Sequence, residues 1–128
     1  MLRAMNAHHA VVWLDHAEAK VFKFSSDSVA EIDVHAKPHA HLHNRNAVSG
    51  RKEDHAPYYS SVAEALKDTA EFLVLGPSTA KLEFVRNLHK HHADLEPRMV
   101  GIETVDHPTD NQIVAYAKKY FVKADRMR

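Results

Sequence analysis

Twelve histidines in 128 residues are the chain's first chemical peculiarity. His35, His39, His41 and His43 share one parity, so an extended backbone would present them on one side. Imidazole suits zinc, nickel or copper, but a structural zinc site draws ligands from separated pairs, often with cysteine, and the chain has none. His39, His41 and His43 are therefore a weak metal candidate, of the kind that takes divalent ions adventitiously, and no dedicated cofactor is expected. The same stretch, residues 36–52, carries Lys37, Arg45, Arg51 and Lys52 and no acidic residue. Four positive charges on one segment can lie along phosphates, with Asn44 and Asn46 adding polar contacts. Those four are the candidate RNA-binding residues; the bland alternative is a solvated loop whose charges maintain solubility. His89, His91 and His92 form a second cluster, near a helix C-terminus, where cationic side chains complement the dipole.

Other chemistries are weaker. Gly76-Pro-Ser-Thr-Ala-Lys81 joins an apolar strand to a helix, where backbone N–H groups can hold an anion, and Ser78, Thr79 and Lys81 are its candidate contributors. Neither the P-loop spacing nor Gly-x-Gly-x-x-Gly is present, and a capped turn explains the segment as well. A two-metal nuclease needs converging carboxylates. Asp15 ends the first strand, Glu71 lies at the opposite end of its neighbour, and Asp106 and Asp110 follow the fifth strand, where Asp110 would cap a helix, so that constellation is incomplete. No Gly-x-Ser-x-Gly elbow occurs, and the lack of cysteine removes thiol catalysis and disulfides. No catalytic residue is assigned.

These residues must be held by elements with a legible order. The run 9–15 is apolar and β-rich, 19–24 alternates, and after a turn-forming cluster 29–34 alternates again, which gives a three-stranded meander. Apolar patterning then stops over the long basic, histidine-rich loop 36–56. Pro57 suits a helix first turn, and Tyr58, Val62, Ala65 and Leu66 keep helical spacing over 57–68. Residues 71–75 form a short, nearly uninterrupted apolar strand of the type buried on both faces. Ser78 or Thr79 caps a helix marked by Leu82, Val85 and Leu88. A fifth strand covers 98–105, and Pro108-Thr109-Asp110 opens a last helix with Ile113, Val114, Ala117 and Phe121. The order βββαβαβα predicts one α/β domain over residues 1–128. It is a mixed five-stranded sheet with helices on both faces, the arrangement of ribonuclease-H-like folds.

Lys and Arg number 17 against 17 Asp and Glu, a balance that conceals local sign. The end of the chain is basic: Lys118, Lys119, Lys123, Arg126 and Arg128 face Asp125 alone, and 122–128 is read as a basic tail. No stretch approaches the ~20 apolar residues needed to cross a bilayer. The N-terminal ten residues lack the apolar core of a secretory signal. A cytoplasmic protein without a membrane partner is expected.

Val11-Val-Trp-Leu-Asp15, Ala19-Lys-Val-Phe22, Arg51-Lys52, Val62-Ala-Glu-Ala65, Leu73-Val-Leu-Gly-Pro-Ser78, Lys81-Leu-Glu-Phe84 and Val105-Asp106 follow one another in a familiar order. Together they resemble the middle domain of archaeal and eukaryotic class-1 peptide release factors and Pelota, and the stand-alone bacterial translational machinery proteins, over about residues 9–121. The resemblance implies a ribonuclease-H-like fold. It also implies a loop after the third strand that in release factors carries a Gly-Gly-Gln reaching the peptidyl-transferase centre. The corresponding residues 39–54 hold only Gly50 and no glutamine, the sole glutamine being Gln112, so peptidyl-tRNA hydrolysis does not carry over. Pelota relatives also lack the tripeptide and act by binding a ribosome. The first reading is thus a non-catalytic ribosome- or RNA-associated module. The alternatives are a histidine-rich metal-binding or pH-responsive protein and, less favoured, a ribonuclease-H-like metal-dependent nuclease.

Overall fold

The computed structural model describes residues 9–25, 28–36 and 55–126. Its elements are β1 (His9–Leu14), β2 (Glu18–Phe24), β3 (Val29–His35), α1 (Ala56–Ala65), β4 (Glu71–Gly76), α2 (Ala80–His91), β5 (Met99–Thr104) and α3 (Asp110–Arg126), with a 3-10 turn, Glu96–Arg98, ahead of β5. This is the order expected from the sequence. The strands form one sheet, β3-β2-β1-β4-β5. β1, β2 and β3 pair antiparallel, whereas β4 pairs parallel to both β1 and β5. Parallel neighbours need a crossover, and α2 supplies the one between β4 and β5. The result is a mixed α/β sheet of ribonuclease-H-like order.

Side chains alternate across the sheet and build two cores. Ala10, Val12 and Leu14 of β1 and Phe72 and Val74 of β4 pack with Tyr58, Tyr59, Val62 and Leu66 of the α1 region and Phe84 and Leu88 of α2. Val11 and Trp13 of β1 and Leu73 and Leu75 of β4 face the other way, against Ile113, Ala117 and Phe121 of α3. Helices therefore cover both faces, two on one and one on the other. β1 from Ala10 to Leu14 is at most 3% exposed, which is why it reads as a continuous apolar run rather than an alternating one.

Two local readings differ, and one strand, itself as expected, is less covered than its alternation suggests. α1 ends at Ala65 rather than Asp68, because the Leu66 amide turns back to the Ala63 carbonyl and the Thr69 hydroxyl donates to the Leu66 carbonyl, closing the helix. β3 alternates in sequence yet is exposed along nearly its whole length, since it is the sheet edge and only Val34 is half-buried. Asp110 does not cap α3. Thr109 does: its Oγ1 accepts from the Gln112 amide at 3.2 Å, the Gln112 Oε1 accepts from the Thr109 amide at 2.9 Å, and Ile113 N bonds to Thr109 O. This is a reciprocal capping box, and it occupies the chain's one glutamine. Asp110, one position inside, instead accepts from Lys20 Nζ at 2.9 Å.

Gly76 marks the tightest backbone approach. A Cβ there would collide with the carbonyl oxygen of Leu14, a backbone atom that cannot step aside. Gly76→Ala is expected to destabilise by about 1–3 kcal/mol, as overpacked sites do, measured by urea unfolding at constant m-value. Thr109→Ala should cost about 1 kcal/mol, the usual loss of a side-chain cap, visible as a lower urea midpoint, while Asp110→Ala, which leaves the cap in place, should cost less.

Candidate functional site at the carboxyl rim of the sheet

β1, β3, β4 and β5 all end on one rim, as the parallel pairings and the intervening antiparallel β2 require. Residues 37–54 connect Ala36 to His55, and both flanks lie on that rim. The Ala36 amide bonds to the Ala17 carbonyl in the β1–β2 turn, and the His55 ring lies 6.2 Å from that of His16 in the same turn. Lys37, Arg45, Arg51 and Lys52, and His39, His41 and His43, lie outside the described residues. His35 is described, exposed on β3 and opposite Glu18.

Asp15 organises the turn beneath. Its Oδ1 accepts from the amides of Ala17 at 2.8 Å and Glu18 at 2.9 Å, an Asx-type turn, and its carbonyl accepts from the buried Tyr58 hydroxyl at 2.9 Å. Burial pushes the Tyr58 phenol far above its ordinary range, so it serves as a neutral donor. Asp15 Oδ2 also lies 3.7 Å from Nε2 of His107, whose Nδ1 is 3.0 Å from Asp106 Oδ1. Of the carboxylates weighed for a nuclease, Asp15 and Asp106 thus share one histidine. Glu71 sits at the far end of the sheet, 3.5 Å from His9, and Asp110 is engaged by Lys20. Among the described residues no group of three or more His, Asp or Glu side chains is arranged to hold a metal ion.

On the α3 side of the rim is a cleft of about 420 Å³ lined by Leu75, Val105, Asp106, His107, Gln112 and Tyr116. The Trp13 indole, buried beneath it, donates to the Asp106 carbonyl at 2.9 Å and fixes its wall. The Tyr116 hydroxyl is bonded to Glu103, which raises the phenol to about 12.

On the other side stands a polar cluster that sequence reading missed. Glu83, in the first turn of α2, accepts from the Tyr59 hydroxyl at 2.8 Å through Oε1 and lies 3.4 Å from His16 Nε2 through Oε2. Partial burial works to raise the Glu83 carboxyl, but the Tyr59 and His16 hydrogen bonds together with the nearby His16 and His55 rings outweigh it and hold it below its usual range. A buried tyrosine requires a hydroxyl partner, and the adjacent Tyr58 and Tyr59 were the available signal. Ser78, Thr79 and Lys81 are brought together, but Lys81 Nζ donates to the Ser78 carbonyl at 2.7 Å. Thr79 occupies the cap position of α2 without a side-chain cap bond, and the Ala80 amide meets Ser78 Oγ only at 3.5 Å. The second histidine cluster is divided, His89 meeting Glu96 at 2.9 Å and His92 meeting Ser60 at 3.1 Å.

Because the folded-state carboxyl of Glu83 is depressed, its contribution to stability is present above the unfolded value, near 4.5, and is lost as pH falls through the lower folded value. Glu83→Gln should therefore flatten the acid limb of the stability-versus-pH curve relative to wild type. Urea midpoints measured from pH 6 down to pH 2 would show this, and parallel curves would refute it.

No protein-family model matches the chain, and no curated protein matches it either. Solved structures do. Archaeoglobus fulgidus Pelota superposes with a TM-score of 0.62 at 17% identity, over 90% of this chain and 32% of that one. Thermoplasma acidophilum Pelota gives 0.57 at 20% identity, over 85% and 31%. The archaeal translation termination factor aRF1 gives 0.57 at 14%, over 87% and 34%. Saccharomyces cerevisiae Dom34, described as a translation termination-like factor involved in RNA quality control pathways and interacting with Hbs1, gives 0.54 at 14%, over 84% and 31%. The chain spans about a third of the length of these proteins, and its fold resembles that of one domain, the middle one, of Pelota and the archaeal release factor.

Proposed function

We propose that this domain is a non-catalytic ribosome- or RNA-associated module of the translation apparatus. It binds through the basic segment bearing Lys37, Arg45, Arg51 and Lys52, assisted by the basic C-terminal end 122–128, of which 122–126 continues α3 rather than forming a separate tail. The observation that carries the reading is the fold shared with Pelota and aRF1 over most of the chain. The one-signed charge of residues 36–52 supports it, because a connection that leaves and re-enters on one rim can present cations to phosphates without disturbing the sheet. The absence of Gly-Gly-Gln from the sequence directs the proposal to binding rather than peptidyl-tRNA hydrolysis. The reading invokes no cofactor and no membrane partner, and places the protein in the cytoplasm. No helix among the described residues is long and apolar enough to cross a membrane.

Replacing Lys37, Arg45, Arg51 and Lys52 together by alanine should abolish salt-sensitive co-sedimentation with ribosomes through a sucrose cushion. On isolated single-stranded RNA it should reduce the salt slope by about 3, near 0.7 for each phosphate no longer neutralised. Wild-type binding should also strengthen as pH falls through about 6.5, the ordinary histidine value, as His39, His41 and His43 add positive charge. Co-sedimentation unchanged in the fourfold variant overturns the proposal.

A further inference from the structure

β3 is a sheet edge whose outward backbone groups can be identified. Two bonds beyond its ends, Ser25 N to Ser28 O and Ala36 N to Ala17 O, set the phase of the antiparallel β2–β3 ladder. Residues alternate between pairs that exchange both bonds and pairs that exchange none. Ala30, Ile32 and Val34 therefore bond to β2, while the N–H and C=O groups of Val29, Glu31, Asp33 and His35 point away from it. Among the described residues no strand lies beyond β3.

The side chains on this edge also differ by face. Glu31, Asp33 and His35 are exposed on the face shared with Phe22 and Phe24, where α3 packs farther in, against β1. The opposite face presents Ile32, 36% exposed, next to Val34. Glu31 and Asp33 stand two residues apart on one face, and the hydrogen bond that a protonated Glu31 can give to Asp33, with partial burial and the repulsion between the two ionised carboxylates, lifts the Glu31 carboxyl above its ordinary value. Lys20 lies opposite Asp33 in the register but is bonded to Asp110, and Glu18 and Asp110 add further negative charge around it.

We infer that β3 is a docking edge for an extended segment of another protein, which adds as a sixth strand with Lys or Arg at alternate positions facing Glu31 and Asp33 and apolar residues beside Ile32. Backbone bonds supply affinity in such strand addition, and alternate side chains supply specificity. Charge selects the occupant. A second copy pairing antiparallel about Ile32 would set Glu31 directly against Asp33 of its twin, twice. Registers shifted one step either way oppose Glu31 to itself or Asp33 to itself. Like charges directly opposite are destabilising, so the edge rejects its own copy and phosphate alike while favouring a basic strand. This inference is independent of the role proposed for residues 36–52.

The test uses the whole protein and a soluble peptide of about seven residues alternating lysine with valine. A second peptide with glutamate for lysine, and a third N-methylated on alternate amides, serve as controls. Amide exchange followed by NMR should show Val29, Glu31, Asp33 and His35 exchanging freely in the free protein and becoming protected with the lysine peptide, while Ile32 is protected throughout. Glu31→Lys/Asp33→Lys should weaken binding about tenfold or more. Glu31→Pro removes only an outward amide and should block binding while the urea midpoint stays close to wild type. Protection already present in the free protein, equal binding of the glutamate peptide, or a concentration-dependent dimer that protects these amides would each overturn the inference.

Discussion

The parallel pairing of β1 with β4 is the constraint on which the rest of the molecule depends. Both strands are buried on both faces, so neither has a side that tolerates a polar group, and every backbone donor and acceptor along them must be satisfied within the ladder. Two helices close one face and one closes the other, because a doubly buried strand pair is stable only between two apolar layers. Polar groups of the strands are consequently displaced to the strand ends and the sheet edges. It is no accident of this sequence that Asp15, Glu83, Asp106 and His107 gather on one rim.

That rim is held from below by contacts the central pair makes possible. Gly76 allows β4 to close against the Leu14 carbonyl, and the Trp13 indole reaches past β4 to the carbonyl of Asp106. An indole N–H buried in this way needs an acceptor, and the acceptor it finds fixes the segment carrying His107. Position on the rim is thus set by core residues, so a change of side-chain volume at Trp13 would be felt at His107 without any change of charge there.

The parts of this architecture legible in the sequence were those written in apolar runs. Residues 9–14 and 71–75 announce buried strands, and Ile113, Ala117 and Phe121 recur at helical spacing, because burial on a regular element imposes its period on the sequence. What sequence did not disclose was polar pairing over long separations. Tyr59 and Glu83 lie on different helices, and nothing in either local pattern joins them. The α3 cap illustrates a different failure. Asp110 and Thr109 are both good caps, and only the reciprocal bond with Gln112 decides between them. β3 shows a third: alternation identifies a strand but does not say whether a helix covers it. Residues 37–54 lie outside the described residues, and the sequence gives their composition alone, charge without apolar pattern.

A formal charge of zero is consequently uninformative about partners here. Interactions between exposed charges decay over about 8–10 Å at physiological ionic strength, so a partner senses a segment rather than the sum. Along this chain the sign changes over a few residues, from Glu31 and Asp33 on β3 to Lys37, Arg45, Arg51 and Lys52 with no acid among them. An acidic edge cannot lie against a phosphate backbone, and a run of cations gains nothing from a lysine-bearing strand. Two surfaces of opposite sign therefore cannot compete for one ligand. A nucleic acid bound through the basic segment would be repelled by Glu31 and Asp33, so its binding would leave the β3 edge open to a strand of basic sequence.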